Sequence, residues 1–182
     1  MTDGRKLDSG AAYPRNSARP DSRVPTKAKK LIAKSSIQIN NTVDEAWKAL
    51  VDPEIVAKYM LGSQQVSDWQ KGSSIIWRKD FNGRRFEDKG EILEITPQKS
   101  LKYTHYSPAS GKPDAPENYQ TVSVTLQENA KGTTIELSSD NNASEKEKEM
   151  TEQIWAYYFQ GLKIIMDKQQ AASTAAVRAP LL

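Results

Sequence analysis

The histidine of this chain, His105, is the side chain best suited to acid–base chemistry, because histidine can change its charge near neutral pH. It continues the alternation of Leu101 and Tyr103 on a predicted strand, so all three side chains should lie on one inward face. A single inward histidine is most simply a structural group. Contact with a ligand is the alternative, and general acid–base catalysis is a third. The sequence therefore marks His105 as a candidate ligand contact and identifies no catalytic residue.

Other reactive groups are missing or isolated. The chain has no cysteine, which excludes disulfides, thiolate catalysis and cysteine zinc sites. One histidine with scattered carboxylates predicts no metal and no cofactor, and neither a Gly-x-Ser-x-Gly motif nor a phosphate-binding glycine loop occurs. One strand carries a run of acidic residues interrupted by Lys89, which is most simply a solvated face: Glu87, Asp88, Glu91 and Glu94.

The segment IWAYYFQGLKIIM, residues 154–166, concentrates aromatic side chains in a predicted helix. On a helical wheel the centre of its apolar arc is formed by Ile154, Tyr158, Gly161, Leu162 and Ile165. The arc exceeds half of the circumference, which is wider than a helix on a flat surface needs. Gly161 costs about 1 kcal/mol relative to alanine in a helix, so it indicates a close approach or room for a ligand.

The elements that must position these side chains follow from periodicity and turn signals. Alternation predicts a first strand at 31–39, and the capping box Thr42 to Glu45 begins the first of two short helices, the second starting at Asp52-Pro53. A long helix should run from about 145 to 169, opened by Ser144 and Glu147. Between the helices lie six predicted strands, at 64–69, 73–81, 84–95, 100–107, 118–128 and 132–139.

Two turn or bend signals refine this pattern. Asn82-Gly83 is typical of a type I′ hairpin turn, in which both central residues take positive φ. Gly90 stands where the apolar alternation changes parity, which predicts a bulge in its strand. The sequence thus predicts an α+β fold with a curved antiparallel sheet of about seven strands.

Charge divides the chain into a tail and a body. Residues 1–34 hold nine Lys and Arg against three Asp, and residues 35–182 hold seventeen against twenty acidic residues. We therefore predict a disordered basic tail at 1–30, a domain at 31–169 and a flexible tail at 170–182. The scattered basic residues lack interleaved aromatics, so no nucleic-acid partner is expected. No apolar run is long enough for a membrane span and no secretory signal is visible, so we expect a cytoplasmic monomer.

Four spaced segments resemble one known family. They are TVDEAWKALVDPEIVAKYM, DWQKGSSIIW, GEILEITPQKSLKYTHY and IWAYYFQGLK, in this order between residues 42 and 163. They are similar to the family named after the activator of the heat-shock-protein-90 ATPase, of the START-like or birch-pollen-allergen-like (SRPBCC) superfamily. The resemblance implies the helix-grip fold, in which the sheet wraps around the long C-terminal helix and two short helices follow the first strand.

The resemblance also implies a cavity between sheet and helix that binds lipids or aromatic molecules. Binding of a small hydrophobic ligand is thus the first functional hypothesis. A co-chaperone or stress-response protein-interaction module that regulates the heat-shock-protein-90 ATPase is the second, and a polyketide aromatase/cyclase-like enzyme is the third. The residues expected to line the cavity combine the inward strand positions with the helical arc: Trp77, Tyr103, His105, Trp155, Tyr158, Phe159, Gly161 and Leu162.

Overall fold

The chain folds into a curved antiparallel sheet with one long helix packed against it, and the computed structural model describes residues 31–178. The predicted basic tail at 1–30 lies outside the described residues. In chain order the helices and strands are β1 (Leu31–Ile39), α1 (Val43–Val51), α2 (Pro53–Tyr59), β2 (Gln64–Ser67), β3 (Ser74–Phe81), β4 (Arg84–Thr96), β5 (Ser100–His105), β6 (Gln120–Asn129), β7 (Gly132–Asn142) and α3 (Glu145–Arg178).

All seven strands join one antiparallel sheet in the order β1-β7-β6-β5-β4-β3-β2. Only β1 is out of chain order, because it pairs with β7 from the far end of the domain. The predicted helix-grip fold is confirmed, and each strand lies where the alternation places it, with ends that differ by three residues at most. The core forms where the inner face of the sheet meets α2 and α3.

The two short helices begin at the caps that the sequence predicts. Thr42 and Glu45 form a complete capping box at α1, in which each side chain binds the other residue's backbone N–H. The carboxylate of Asp52 then accepts hydrogen bonds from Glu54 N at 2.9 Å and Ile55 N at 3.4 Å, with Pro53 at the first position of α2. These caps fix the bend between α1 and α2.

Replacement of Asp52 by alanine should lower the free energy of unfolding by about 1 kcal/mol, because two N–H groups of α2 lose their acceptor. Replacement by asparagine keeps an acceptor oxygen and should change it by only a few tenths of a kcal/mol. Urea denaturation of the two variants measures both values. Equal losses would show that the carboxylate charge, rather than the capping geometry, carries the effect.

The long helix α3 differs from its prediction at both ends. Ser144 accepts from Glu147 N at 3.1 Å as expected, but the Glu147 carboxylate accepts from Ala143 N, one residue beyond the position in a capping box. At the other end, α3 continues past residue 169 to Arg178. The reason is that alanine and glutamine, frequent in this stretch, are good helix formers.

Strand β4 begins at the predicted hairpin turn and contains Gly90, where the sequence predicts a bulge. Asn82 and Gly83 have φ of 50° and 72°, which confirms the predicted hairpin turn between β3 and β4. The register shift of β4 lies between Ile92 and Glu94, so the predicted bulge is displaced from Gly90. Gly90 itself lies so close to β5 that an added Cβ would be 1.6 Å from the backbone oxygen of Thr104. The glycine is therefore required by a close approach of two strands.

Candidate functional site

A cavity of about 430 Å³ lies between the inner face of the sheet and α3. Strands β3 to β6 each contribute neighbouring inward side chains, and α3 closes the opposite side. Loop residues after α2 and β5 complete the wall. The lining side chains are Met60, Ser63, Trp77, Lys79, Phe86, Asp88, Tyr103, His105, Ser107, Ala109, Gln120, Val122, Thr151, Ile154, Trp155 and Tyr158.

The sheet side of the cavity is an aromatic surface. The rings of Trp77 and Tyr103, both nearly fully buried, have centroids 5.3 Å apart, and His105 meets Trp77 edge-on at 5.5 Å. With its amide oxygen turned toward the indole, Gln65 accepts from Trp77 Nε1 at 3.3 Å and donates to the carbonyl oxygen of Leu50 at 3.2 Å. Trp77 is thus held in place by packing and by a buried hydrogen bond.

The helix side is also aromatic. Trp155 and Tyr158 lie edge to face with centroids 5.9 Å apart. Burial raises the pKa of the Tyr158 hydroxyl, and the negative charge of Asp88 raises it further, with a smaller contribution from Tyr157. Tyr158 therefore stays a neutral hydroxyl that can donate or accept a hydrogen bond.

One carboxylate–imidazole pair crosses the polar part of the wall. His105 Nε2 lies 3.4 Å from Asp88 Oδ2, and the two side chains are 28% and 34% exposed. Asp88 is brought there by β4, where it pairs directly with Trp77 of β3, so both point into the cavity. The pair therefore joins β4 to β5 through their side chains where the cavity opens.

Burial disfavours the charged form of Asp88, but hydrogen bonds from His105 and Ser107 outweigh it. The positive charge of Lys79 acts in the same direction, so the pKa of Asp88 lies below its usual value. Asp88 thus remains a carboxylate below the pH at which a free aspartate takes up a proton. This contribution to stability is present above the ordinary pKa and is lost as the pH falls through the lowered one.

The arrangement can hold a polar group of a ligand, and an imidazole oriented by a carboxylate can also accept a proton. Among residues 31–178, no three His, Asp or Glu side chains lie close enough together to hold a metal ion. The cavity side chains that can form hydrogen bonds with a ligand include His105, Asp88 and Tyr158.

Five of the eight residues predicted for the cavity line it: Trp77, Tyr103, His105, Trp155 and Tyr158. The other three do not. Phe159 and Leu162 point into the buried core, because the sheet-facing line of α3 runs through Phe159, Leu162 and Met166. Gly161 faces α2, where an added Cβ would lie 3.2 Å from Tyr59 Cβ, so it permits a close helix contact. Ligand contact by any of the five stays a prediction.

Among the lining residues that the sequence analysis did not predict, Asp88 is the one that it assigned to a solvated face. Its strand neighbours in the acidic run do face outward: Glu87 pairs with Arg78 on the outer surface. The signal that identifies Asp88 is strand parity, since Phe86, Asp88 and Gly90 alternate on one face of β4. The prediction of a solvated acidic face was therefore wrong for this one residue.

The loop after β5 is tied to the start of α3. Lys112 Nζ lies 2.8 Å from Glu147 Oε1, and Tyr106 donates from its hydroxyl to the carbonyl oxygen of Lys112 at 2.8 Å. The ring of Tyr106 stacks on Tyr119 at 5.2 Å, which joins the two ends of the loop. These contacts hold Ser107 and Ala109 at the rim of the cavity.

A comparison with family models identifies the family of this chain, and a solved structure of 44% identity shares its fold. A family model described as "Activator of Hsp90 ATPase homolog 1-like protein" matches residues 40–167. The solution structure of ChR145 from Cytophaga hutchinsonii is 44% identical, with a TM-score of 0.69 over 78% of this chain and 97% of that one. A comparison with curated proteins finds no match.

More distant structures share the fold. The crystal structure of MLL2253 from Mesorhizobium loti is 18% identical, with a TM-score of 0.62 over 76% of this chain and 98% of that one. NE0264 from Nitrosomonas europaea is 20% identical, with a TM-score of 0.61 over 78% and 97% of the two chains. No helix within residues 31–178 combines the length and the apolarity that crossing a bilayer requires.

Proposed function

Because this chain belongs to the family of activator of Hsp90 ATPase homolog 1-like proteins, whose START-like fold it shares, we propose that its cavity binds a small hydrophobic ligand. The supporting observation is the cavity itself, which lies between two aromatic walls and is closed on one side by α3. Its volume of about 430 Å³ falls within the range of small-molecule sites. Tryptophan and tyrosine rings offer a ligand both apolar area and stacking contacts.

The pattern of burial favours a ligand site over a packing defect. Trp77 and Tyr103 form the floor, and Trp77 is held by its ring contact with Tyr103 and by its hydrogen bond to Gln65. Most of the cavity surface is apolar, and the polar side chains on the strands lie together at one end of it, as in sites that orient a ligand. A pre-formed cavity also spares the ligand much of the cost of ordering side chains.

Replacement of Val122 by phenylalanine should weaken binding of N-phenylnaphthylamine, a neutral aromatic fluorophore, at least tenfold. Val122 is buried and lines the cavity, so the larger ring occupies the space of the ligand. Fluorescence titration of the probe measures the affinity, and thermal denaturation of the free protein should show stability that is equal or higher, since the variant fills a void.

The matched control is Val66→Phe, the same exchange on β2 at a side chain that is half exposed and outside the cavity. It should leave probe binding unchanged. The proposal fails if the unsubstituted protein binds neither this probe nor fatty acids nor phospholipids, or if Val122→Phe binds as tightly as the control.

A second candidate function is regulation of the ATPase of heat-shock protein 90. A line of exposed apolar side chains on α3, away from the cavity, favours it, formed by Met150, Tyr157 and Ile164. The test adds the protein to the chaperone from the same cell and measures ATP hydrolysis. A changed rate that Tyr157→Ser abolishes would support this function, and an unchanged rate with no complex would remove it.

A cytoplasmic monomer remains our prediction for either role.

A further inference from the structure

The polar groups of the cavity are concentrated at one end of the sheet and carry both signs of charge. Lys79 and Asp88 lie on neighbouring strands and both line the cavity, and the positive charge of Lys79 acts on the Asp88 carboxylate. His105 and Gln120, which pair across β5 and β6, complete this end. The apolar floor of Trp77 and Tyr103 lies beside it.

This balance of charge disfavours an ionic ligand. A carboxylate on the ligand would be attracted by Lys79, but it would also place a second negative charge beside Asp88. An ammonium group on the ligand would be attracted by Asp88 but repelled by Lys79. Like charges disfavour each other strongly where part of the surrounding water is excluded, as it is around the half-buried residues Lys79 and Asp88. A neutral polar group avoids both costs.

Hydrogen-bonding capacity identifies that group as a hydroxyl. The Asp88 carboxylate offers about four acceptor positions, of which His105 and Ser107 use two. The remaining ones need donors, and water supplies them where the side chain is exposed. A ligand hydroxyl can replace that water, because it donates to the carboxylate and accepts from a neighbouring donor at the same time.

On the basis of the proposed function, we propose that the ligand is a neutral hydroxylated aromatic compound of the phenol class, with its ring against Trp77 and its hydroxyl group at Asp88 and His105. The aromatic walls favour a flat ring system over a flexible chain, because stacking on rigid rings requires little ordering. The cavity volume of about 430 Å³ is large enough to admit a compound of the size of naphthol.

The test compares four naphthalenes that carry different groups at the same ring position: hydroxyl, methoxy, carboxylate and aminomethyl. Each displaces N-phenylnaphthylamine from the full-length protein, and calorimetry checks the affinities. The naphthol should bind at least tenfold more tightly than the methoxy compound, which cannot donate, and than either charged compound. In Asp88→Asn the naphthol should lose most of this advantage, and the carboxylate compound should bind at least tenfold better than before.

The control is Glu87→Gln, which removes the same charge from the next residue of β4. Glu87 pairs with Arg78 on the outer surface, so this variant should keep the original order of affinities. If naphthol and its methoxy compound bind equally and Asp88→Asn changes neither, the hydroxyl site is refuted while aromatic binding stands. If the carboxylate compound binds best, the site is one for anions at Lys79. If none of the four binds, the proposed function itself fails.

Discussion

Replacement of Gly90 by alanine should lower the free energy of unfolding by at least about 3 kcal/mol. The added Cβ would lie 1.6 Å from the Thr104 backbone oxygen and 2.6 Å from its carbonyl carbon, so β4 and β5 must move apart. Backbone atoms of a paired strand cannot rotate away as a side-chain tip can, which places this substitution at the severe end of overpacking. Urea denaturation followed by circular dichroism measures the loss.

The same substitution should also disturb the cavity. Asp88 and His105 lie on the two strands that Gly90 lets approach, so the 3.4 Å separation of their side chains depends on this contact. We expect weaker binding of the aromatic probe in the fraction of Gly90→Ala that remains folded.

Gly111→Ala is the matched control for Gly90→Ala. Gly111 has φ of 71° with no atom within 4 Å of an added Cβ, so only left-handed backbone strain of about 1 to 2 kcal/mol applies. Losses of equal size in the two variants would contradict the close approach of β4 and β5.

Leu162→Ala should destabilise the protein by about 2 to 5 kcal/mol. Leu162 is 0% exposed in the core cluster between α3 and the sheet, and its truncation leaves a cavity as well as removing apolar contact. Because Leu162 does not line the ligand cavity, the folded protein should bind the aromatic probe with its original affinity. Denaturation and fluorescence titration separate these two effects.

Ile164→Ala provides the control two residues further along α3. Ile164 is 52% exposed, so its truncation should change stability by about 0.5 kcal/mol or less. If Ile164→Ala destabilised the protein as much as Leu162→Ala, the result would contradict the orientation of α3 that buries Leu162 and exposes Ile164.

The rotation of α3 is also where the sequence was least informative. More than half of its circumference is apolar, so the pattern shows which side chains can be buried and leaves open which arc is buried. The most buried line runs through Phe159, Leu162 and Met166, so Leu162 is the one residue that it shares with the predicted centre. That centre consists of Ile154, Tyr158, Gly161, Leu162 and Ile165. Contacts with α2 and β1 choose between these arcs, and such contacts between distant parts of the chain are not encoded in local periodicity.

The inward and outward side chains of the strands were easier to predict. Successive side chains of a strand point to opposite faces, so each residue has only two possible orientations. Alternation correctly placed Tyr103 and His105 on the inner side, and turn chemistry located the Asn82-Gly83 hairpin. Asp88 was misassigned because the charge of its neighbours was given more weight than its parity with Phe86. A charged residue can face inward when partners such as His105 and Ser107 hydrogen-bond to it, and those partners are identified only after β4 and β5 are paired.

The pairing of β1 with β7 has a consequence for how this protein is made. During synthesis β1 leaves the ribosome first, but its partners, from Thr133 at one end to Asn142 at the other, follow much later. Until then the nascent chain carries an unpaired strand and an uncovered apolar face, and both favour aggregation. Closing so long a loop also slows folding. The domain should therefore acquire its native state only after α3 has emerged, and chains released before β7 should depend on chaperones or be degraded.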